Sequence, residues 1–310
     1  MNVDTDGDGE PDVNIDTDGD GEPDVNVDTD GDGKPDINID TDGDGIPDIN
    51  IDTDGDGIPD KNVISGPNGL NTDDHFAYIV GYKDGTVRPT GNITRAEVAT
   101  IFFRLLTEDV RNSNWATTND YSDVEEKDWF DVAISTLSKM GILDGYPDGT
   151  FRPNNSITRA EFVKIAVSFF EYVDQVPGMP FTDISGHWAE TYIKVAAAVK
   201  LVNGDPGGTF RPNGAITRAE AMAIVNRVLG RAPHVNGMYP SMITWVDNAK
   251  GNWYYADVQE ATNSHEYSMD LTFKGKINVY ENWTKELPVR DWAALEQQWA
   301  KDNTPSDDAA

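Results

Sequence analysis

One motif occurs three times in this chain, and its spacing limits what the chain can fold into. Each copy has a Gly-rich turn, an Arg-Pro, and then Thr-Arg-Ala-Glu ahead of an apolar run. The copies are Gly81-Tyr82-Lys83-Asp84-Gly85 with Arg88-Pro89 and Thr94-Arg95-Ala96-Glu97, Gly145-Tyr146-Pro147-Asp148-Gly149 with Arg152-Pro153 and Thr158-Arg159-Ala160-Glu161, and Gly204-Asp205-Pro206-Gly207-Gly208 with Arg211-Pro212 and Thr217-Arg218-Ala219-Glu220. In every copy the first Gly and the Thr lie thirteen residues apart. A spacing held this strictly marks one structural unit used three times.

Thr with Glu three residues later is a capping box, in which each side chain satisfies a backbone donor that the first helical turn leaves open. Behind the boxes, Val98, Ile101, Phe102, Leu105 and Leu106 follow helical spacing, as do Phe162, Ile165, Phe169 and Phe170, and Ile224, Val225, Val228 and Leu229. These are expected core helices. Capping leaves the Arg unexplained. A guanidinium beside free N–H groups and the positive end of a helix dipole makes a receptor for a carboxylate or phosphate. Arg95, Arg159 and Arg218 are therefore either anion-binding or structural.

The middle copy is preceded by Tyr121-Ser122-Asp123, Trp129 and Gly141, and the third by Phe181-Thr182-Asp183 and Trp188. This order of aromatic-x-Asp, Trp, Gly, turn, Arg-Pro and Ile-Thr-Arg-Ala-Glu resembles the S-layer homology family. The resemblance implies a mainly α fold, a pseudo-threefold trimer of helix-loop-helix modules around a central helical bundle. It also implies a noncatalytic anchor whose grooves hold a pyruvylated secondary cell-wall polysaccharide, a sugar with a fixed carboxylate. On that reading Arg95, Arg159 and Arg218 meet the anion. Trp129, Trp188, Tyr82 and Tyr146 offer flat faces to the sugar, and Asp84 and Asp148 are the turn carboxylates. The third copy departs from the pattern, with Asp205 in place of Tyr and Gly207 in place of Asp. Its groove is expected to be weak or silent.

The expected organisation is five repeats over 2–61, a linker over 62–73, modules over 74–110, 120–171 and 181–230, a partial module over 244–265, a hairpin and helix over 266–300, and a disordered tail over 301–310. The hairpin is placed at Leu271 to Tyr280 with its turn at Lys274-Gly275, and the stretch Glu108 to Asp120 is read as a junction between modules. The first module lacks the aromatic-x-Asp and Trp that precede the others. Those elements reappear after the third module as Trp245-Val246-Asp247 and Trp253. Val258 and Ala261 fall five and eight residues after Trp253, as Ile134 and Leu137 do after Trp129 and Ile193 and Ala196 after Trp188. Residues 244–265 are therefore expected to fold back onto the first module, placing Trp253 beside the groove served by Arg95 or Arg218.

The formal net charge of the chain is −31, and most of it lies at the front. From Asn2 to Lys61 a twelve-residue unit runs five times, with twenty Asp and two Glu against Lys34 and Lys61. Asp at positions one, three and five with Gly at six opens a calcium loop, because alternate carboxylates converge on one hard cation. The first unit offers Asp4, Asp6, Asp8 and Asp12, with Asp16 of the next unit supplying the ligand that Ile15 cannot. The same positions recur as Asp18, Asp20 and Asp24, as Asp28, Asp30, Asp32 and Asp36, as Asp40, Asp42, Asp44 and Asp48, and as Asp52, Asp54, Asp56 and Asp60. Pro11 discourages an exit helix, so the segment resembles thrombospondin type 3 calcium repeats more than an EF-hand. Without Ca2+ the two β-branched residues per unit bury too little to offset the entropy of ordering it. With it, an extended rod of roughly 200 Å at most is expected to lift something off the wall.

The acidic balance makes nucleic acid and anionic membrane poor partners. The chain has no cysteine, and Met1 leads straight into a repeat without a signal peptide, so an export signal and a functional domain are expected upstream. The histidines are His75, His187, His234 and His265, and none stands at a metal-ligand spacing from another. No nucleophile elbow or phosphate loop is present; an acidic pair for glycan hydrolysis is left open, because such pairs meet only in the fold. The expected function is a monomeric, extracellular wall anchor, with a self-assembling surface-layer protein as the alternative.

Overall fold

The computed structural model describes residues 64–172, 181–270 and 280–303, with short strand segments before residue 63. The described residues are mainly helical, and they fall into two compact units. One unit comprises residues 1–68 and 167–210, and the other residues 69–166 and 211–310.

In the first unit, β1 (Asn2–Val3), β2 (Val13–Asn14), β3 (Val25–Val27), β4 (Ile37–Ile39), β5 (Asn50–Ile51) and β6 (Lys61–Asn62) pair antiparallel in chain order. Except for Lys61, these are apolar and Asn positions between the Asp-rich stretches of the sequence. All twenty Asp proposed as metal ligands lie outside the described residues. β7 (Ile64–Ser65) pairs with β8 (Glu171–Tyr172), and α5 (Glu190–Ala198) follows Trp188.

The second unit holds α1 (Arg95–Leu105), α2 (Glu108–Asn114), α3 (Asp131–Lys139), nearly all of α4 (Arg159–Val167), α6 (Arg218–Val228), α7 (Tyr255–Thr262), β9 (His265–Asp270), β10 (Tyr280–Glu286) and α8 (Trp292–Asp302). Thr94 and Glu97, Thr158 and Glu161, and Thr217 and Glu220 each make both bonds of a capping box. The residues ahead of the boxes then join in a closed cycle. The Ile93 N–H donates to Ile216 O at 3.3 Å, Ile216 N–H to Ile157 O at 3.1 Å, and Ile157 N–H to Ile93 O at 3.1 Å. All three isoleucines are fully buried, so each backbone donor needs a partner and finds it in the next copy.

Three segments share a second device. Tyr121 lies over Gly145, where an added Cβ would stand 2.3 Å from the ring, and Phe181 lies over Gly204 at 2.2 Å. The Asp two residues on clamps the segment after the turn. Asp123 accepts from the N–H groups of Phe151 at 2.7 Å and Arg152 at 2.8 Å, and Asp183 accepts from Phe210 at 2.8 Å. Trp245 occupies the same place over Gly81, at 2.0 Å from an added Cβ, and Asp247 accepts from Val87 at 3.0 Å and Arg88 at 2.8 Å. α7 continues this segment, with Val258 and Ala261 fully buried and the Ala261 carbonyl accepting from Tyr78 and Ile79.

Three expectations need correction. Residues 108–114 form helix α2 instead of a simple junction, and its Arg111 reaches back with Nη1 to the carbonyl of Leu106, the residue that caps the end of α1. The C-terminal hairpin starts earlier than expected, with β9 and β10 paired from His265 opposite Glu286 to Asp270 opposite Tyr280 and a register shift between Trp283 and Lys285; its turn lies outside the described residues. The final helix runs on to Asp302, because Asp291 caps it and the Asn303 N–H closes its last turn. Trp292 of α8 donates to Ala77 O at 3.1 Å, and Arg104 of α1 pairs with Glu296 at 2.7 Å.

Replacing Asp247 by Ala removes an ionised acceptor from two N–H groups 160 residues away. The expected loss is about 2–3 kcal/mol in denaturant unfolding, matched by Asp123→Ala, since bonds to charged acceptors contribute about 1.5–3 kcal/mol each. A loss within the noise at Asp247 alone would show that 245–262 is an appendage.

Candidate functional site

The second residue of each capping box does not meet free N–H groups. The first-turn donors are already taken: Arg95 N–H by Asn155 O and Ala96 N–H by Pro153 O, Arg159 N–H by Gly214 O and Ala160 N–H by Pro212 O, Arg218 N–H by Gly91 O and Ala219 N–H by Pro89 O. The basis for reading these helix ends as open anion receptors is therefore removed. The guanidinium groups go instead to the glutamate of the next box. Arg95 Nη1 lies 3.0 Å from Glu161 Oε1, Arg159 Nη1 2.9 Å from Glu220 Oε1, and Arg218 Nη1 2.7 Å from Glu97 Oε1. In each pair the Arg is buried and the Glu partly exposed.

Each glutamate thus caps its own helix with Oε2 and holds a neighbour's arginine with Oε1. Burial pushes the Glu161 carboxyl upward; the Thr158 N–H, the Tyr146 hydroxyl at 2.7 Å and Arg95 outweigh it, so its pKa lies below the ordinary 4.5. Arg95 also donates from Nε to Phe151 O and from Nη2 to Asp144 O, both at 2.8 Å, and Arg218 from Nε to Val87 O at 3.0 Å. These contacts tie the turn of one copy to the helix of another.

Above the pairs stands a second set of arginines that sequence reading passed over. Arg88, Arg152 and Arg211 have φ of 51°, 59° and 57°, a left-handed conformation uncommon outside glycine and worth on the order of 1–3 kcal/mol of strain each. The Arg-Pro present in all three copies was the available signal. Strain of this kind persists where the surroundings over-determine it, here through the Asp123 and Asp247 clamps on the Arg152 and Arg88 N–H groups. All three side chains are exposed. Arg152 lies 4.0 Å over the Tyr146 ring and 2.8 Å from Asp148; Arg88 lies 3.7 Å over Tyr82 and 3.2 Å from Asp84. The Thr150 hydroxyl and N–H and the Arg152 guanidinium hold the Asp148 carboxyl down at about 2, and Thr86 and Arg88 lower Asp84 likewise. In the third copy Asp205 supplies no ring, and Arg211 Nη2 lies 3.8 Å from Glu220.

The structure therefore gathers Arg95, Glu161, Tyr146, Arg152 and Asp148 in one place, and Arg218, Glu97, Tyr82, Arg88 and Asp84 in another; Arg218 lies 5.4 Å from the Tyr82 ring. Trp129, Trp188 and Trp253 are exposed at 62%, 59% and 65%. Three large rings left in water at one equivalent position of each segment are not core. A layer of exposed cation and phenol over a buried ion pair offers charge-assisted donors to an anion and flat faces to a sugar.

The S-layer homology domain model matches residues 77–99, 120–163 and 180–222, so three segments of the chain carry this domain. The first match is about half as long as the others, as expected where the leading helix comes from another part of the chain. The chain is similar to a cellulosome-anchoring protein of Acetivibrio thermocellus, 36% identical over 209 residues, which are 66% of this chain and 46% of that protein. It is also similar to cell surface glycoprotein 1 of the same organism, 36% identical over 208 residues, 64% of this chain and 9% of that protein. An S-layer protein of Bacillus licheniformis is 31% identical over 233 residues, 68% of this chain and 26% of that protein. The chain thus spans less than half the length of these relatives. No helix among the described residues is long and apolar enough to cross a membrane.

The two sets of arginines separate by stability. Arg95→Ala leaves the part-buried Glu161 without its cation and should cost about 3 kcal/mol, whereas Arg152→Ala at an exposed pair should cost less than about 1 kcal/mol. Thermal unfolding of the two variants checks this, and equal losses would refute the division of roles.

Proposed function

We propose that this chain is a noncatalytic anchor that holds a secreted protein on the bacterial cell surface by binding a pyruvylated secondary cell-wall polysaccharide. The observation that carries the reading is the paired layer at the first two turns, an exposed and strained Arg on a Tyr ring above a buried Arg–Glu pair. The ligand class follows from chemistry: a sugar bearing one carboxylate needs a flat apolar face and a forked donor together. Arg152 and Arg88 are taken as the donors that leave Asp148 and Asp84 for the ligand. Arg95, Arg159 and Arg218 form the groove floors, and Trp129, Trp188 and Trp253 the walls. The site lacking a Tyr, at Arg159 and Arg211, is the weak one.

A second reading, self-assembly into a surface layer, is favoured by the similarity to an S-layer protein. Pulldown of the chain on purified cell wall separates the two. Anchoring predicts binding that is abolished when hydrofluoric acid strips the polysaccharide and is weakened about tenfold or more in Arg152→Ala, with the variant still folded; one charge-assisted bond of about 1.5–3 kcal/mol sets that scale. Undiminished binding to stripped wall, or particles growing in light scattering without wall, would favour assembly.

The Asp-rich repeats are proposed to be a Ca2+-stiffened spacer. Small-angle scattering of the chain should show a change in maximum dimension when millimolar calcium replaces chelator, because neutralised carboxylates let the units order. Identical profiles in both conditions would overturn the spacer proposal.

A further inference from the structure

We propose that His75, Glu260, His265 and Glu281 form a buried four-ligand site for a zinc-type divalent cation, which ties the C-terminal segment to the segment ahead of the first module. All four side chains are buried, with residue exposures of 3%, 0%, 1% and 1%, and one ligand atom from each lies within 4.8 Å of the others. His75 Nδ1 stands 3.3 Å from His265 Nε2, 3.1 Å from Glu260 Oε1 and 3.5 Å from Glu281 Oε2, and His265 Nε2 stands 3.3 Å from Glu260 Oε2. Metal bonds of about 2.0–2.1 Å in a tetrahedron put neighbouring ligand atoms about 3.3–3.4 Å apart. The His75–His265 and His265–Glu260 Oε2 separations of 3.3 Å match that edge, and His75 to Glu281 Oε2 at 3.5 Å is slightly longer.

Hydrogen bonding alone accounts for the cluster poorly. Charge-assisted N–H···O bonds are about 2.7–2.9 Å long, shorter than any of these contacts. Glu260 Oε2 and Glu281 Oε2 are buried without a hydrogen-bond partner, a costly state for a carboxylate oxygen that calls for an ion or water.

The outer contacts aim the ligand atoms inward, as second-shell contacts do around a metal. The His265 Nδ1–H donates to Asn263 O at 3.0 Å, which leaves the Nε2 lone pair facing the cluster. The Ala232 N–H occupies Glu281 Oε1 and leaves Oε2. Arg231 Nη1 holds Glu260 Oε1 at 3.3 Å from the side. His75 stacks on Tyr267 at 3.8 Å and His265 on Trp283 at 4.0 Å, which fixes both rings. Two imidazoles and two carboxylates in a tight cage suit zinc; calcium asks for six to eight oxygens at longer range. Sequence reading found no metal-ligand spacing among the histidines. Here two of them, 190 positions apart, meet through the antiparallel bridge between His75 and His265.

The site is independent of the glycan reading. A cation bound only by the folded chain stabilises it and staples His75, α7, β9 and β10 together. The test uses the whole chain, stripped with chelator and kept in calcium so that the Asp-rich repeats are not the binding sites scored. Titrated cobalt(II) should give the intense visible bands of a four-coordinate ion at one equivalent, and zinc should displace them and raise the melting temperature. Glu281→Gln should weaken uptake at least about tenfold, and His187→Ala, a histidine outside the cluster, should not. Should Glu281→Gln fail to fold, X-ray absorption of the zinc-loaded wild type decides, with two imidazoles in the first shell expected. Only weak six-coordinate cobalt bands, an all-oxygen zinc shell, or full uptake by folded Glu281→Gln would overturn the proposal.

Discussion

The interaction on which the rest depends is the cycle of three Arg–Glu pairs between successive capping boxes, Arg95 with Glu161, Arg159 with Glu220 and Arg218 with Glu97. A capping glutamate ordinarily serves one helix. Here its second oxygen is given to the next copy, so helix formation in one copy and docking of another are coupled through one carboxylate. The cycle of backbone bonds among Ile93, Ile157 and Ile216 lies beside it. Each cycle passes once through all three copies, so loss of any one copy would leave both open.

Around this hub each turn is held by two local devices. A ring lying over a glycine leaves no room for a Cβ, and an aspartate takes two successive N–H groups after the turn. For the first turn the ring and the carboxylate come from Trp245 and Asp247, far along the chain. The C-terminal segment is thereby bound into the same core by the same chemistry. The cluster of His75, Glu260, His265 and Glu281 adds a further tie at the point where that segment leaves α7.

The groove chemistry rests on a division of labour. Buried arginines are consumed in holding turns to helices, and exposed ones, kept in a left-handed backbone by the aspartate clamps, face solvent on tyrosine rings. Surface anchoring fits the three S-layer homology segments. The third copy, where Asp205 replaces the ring, retains the floor and loses the platform.

Much of this was legible in the residues. The capping boxes, the core positions of α1, α4 and α6, the equivalence of Trp129, Trp188 and Trp253, and the recurrence of aromatic-x-Asp at Trp245 all follow from spacing, because helix caps and apolar periodicity are local and repeat with the sequence. The destination of the box arginines was not local. Whether Arg95 meets a ligand or Glu161 depends on which copy packs beside it, and a motif read alone places both outcomes at the same helix end. The same holds for the tryptophans, whose exposure is set by neighbours, and for His75 and His265, whose separation along the chain conceals a contact made by tertiary pairing. Local spacing was enough for the repeating unit, its helices and its caps. Which charges cancel inside, which stay exposed, and which distant side chains converge came from folding, since those depend on contacts between segments that no spacing along the chain encodes.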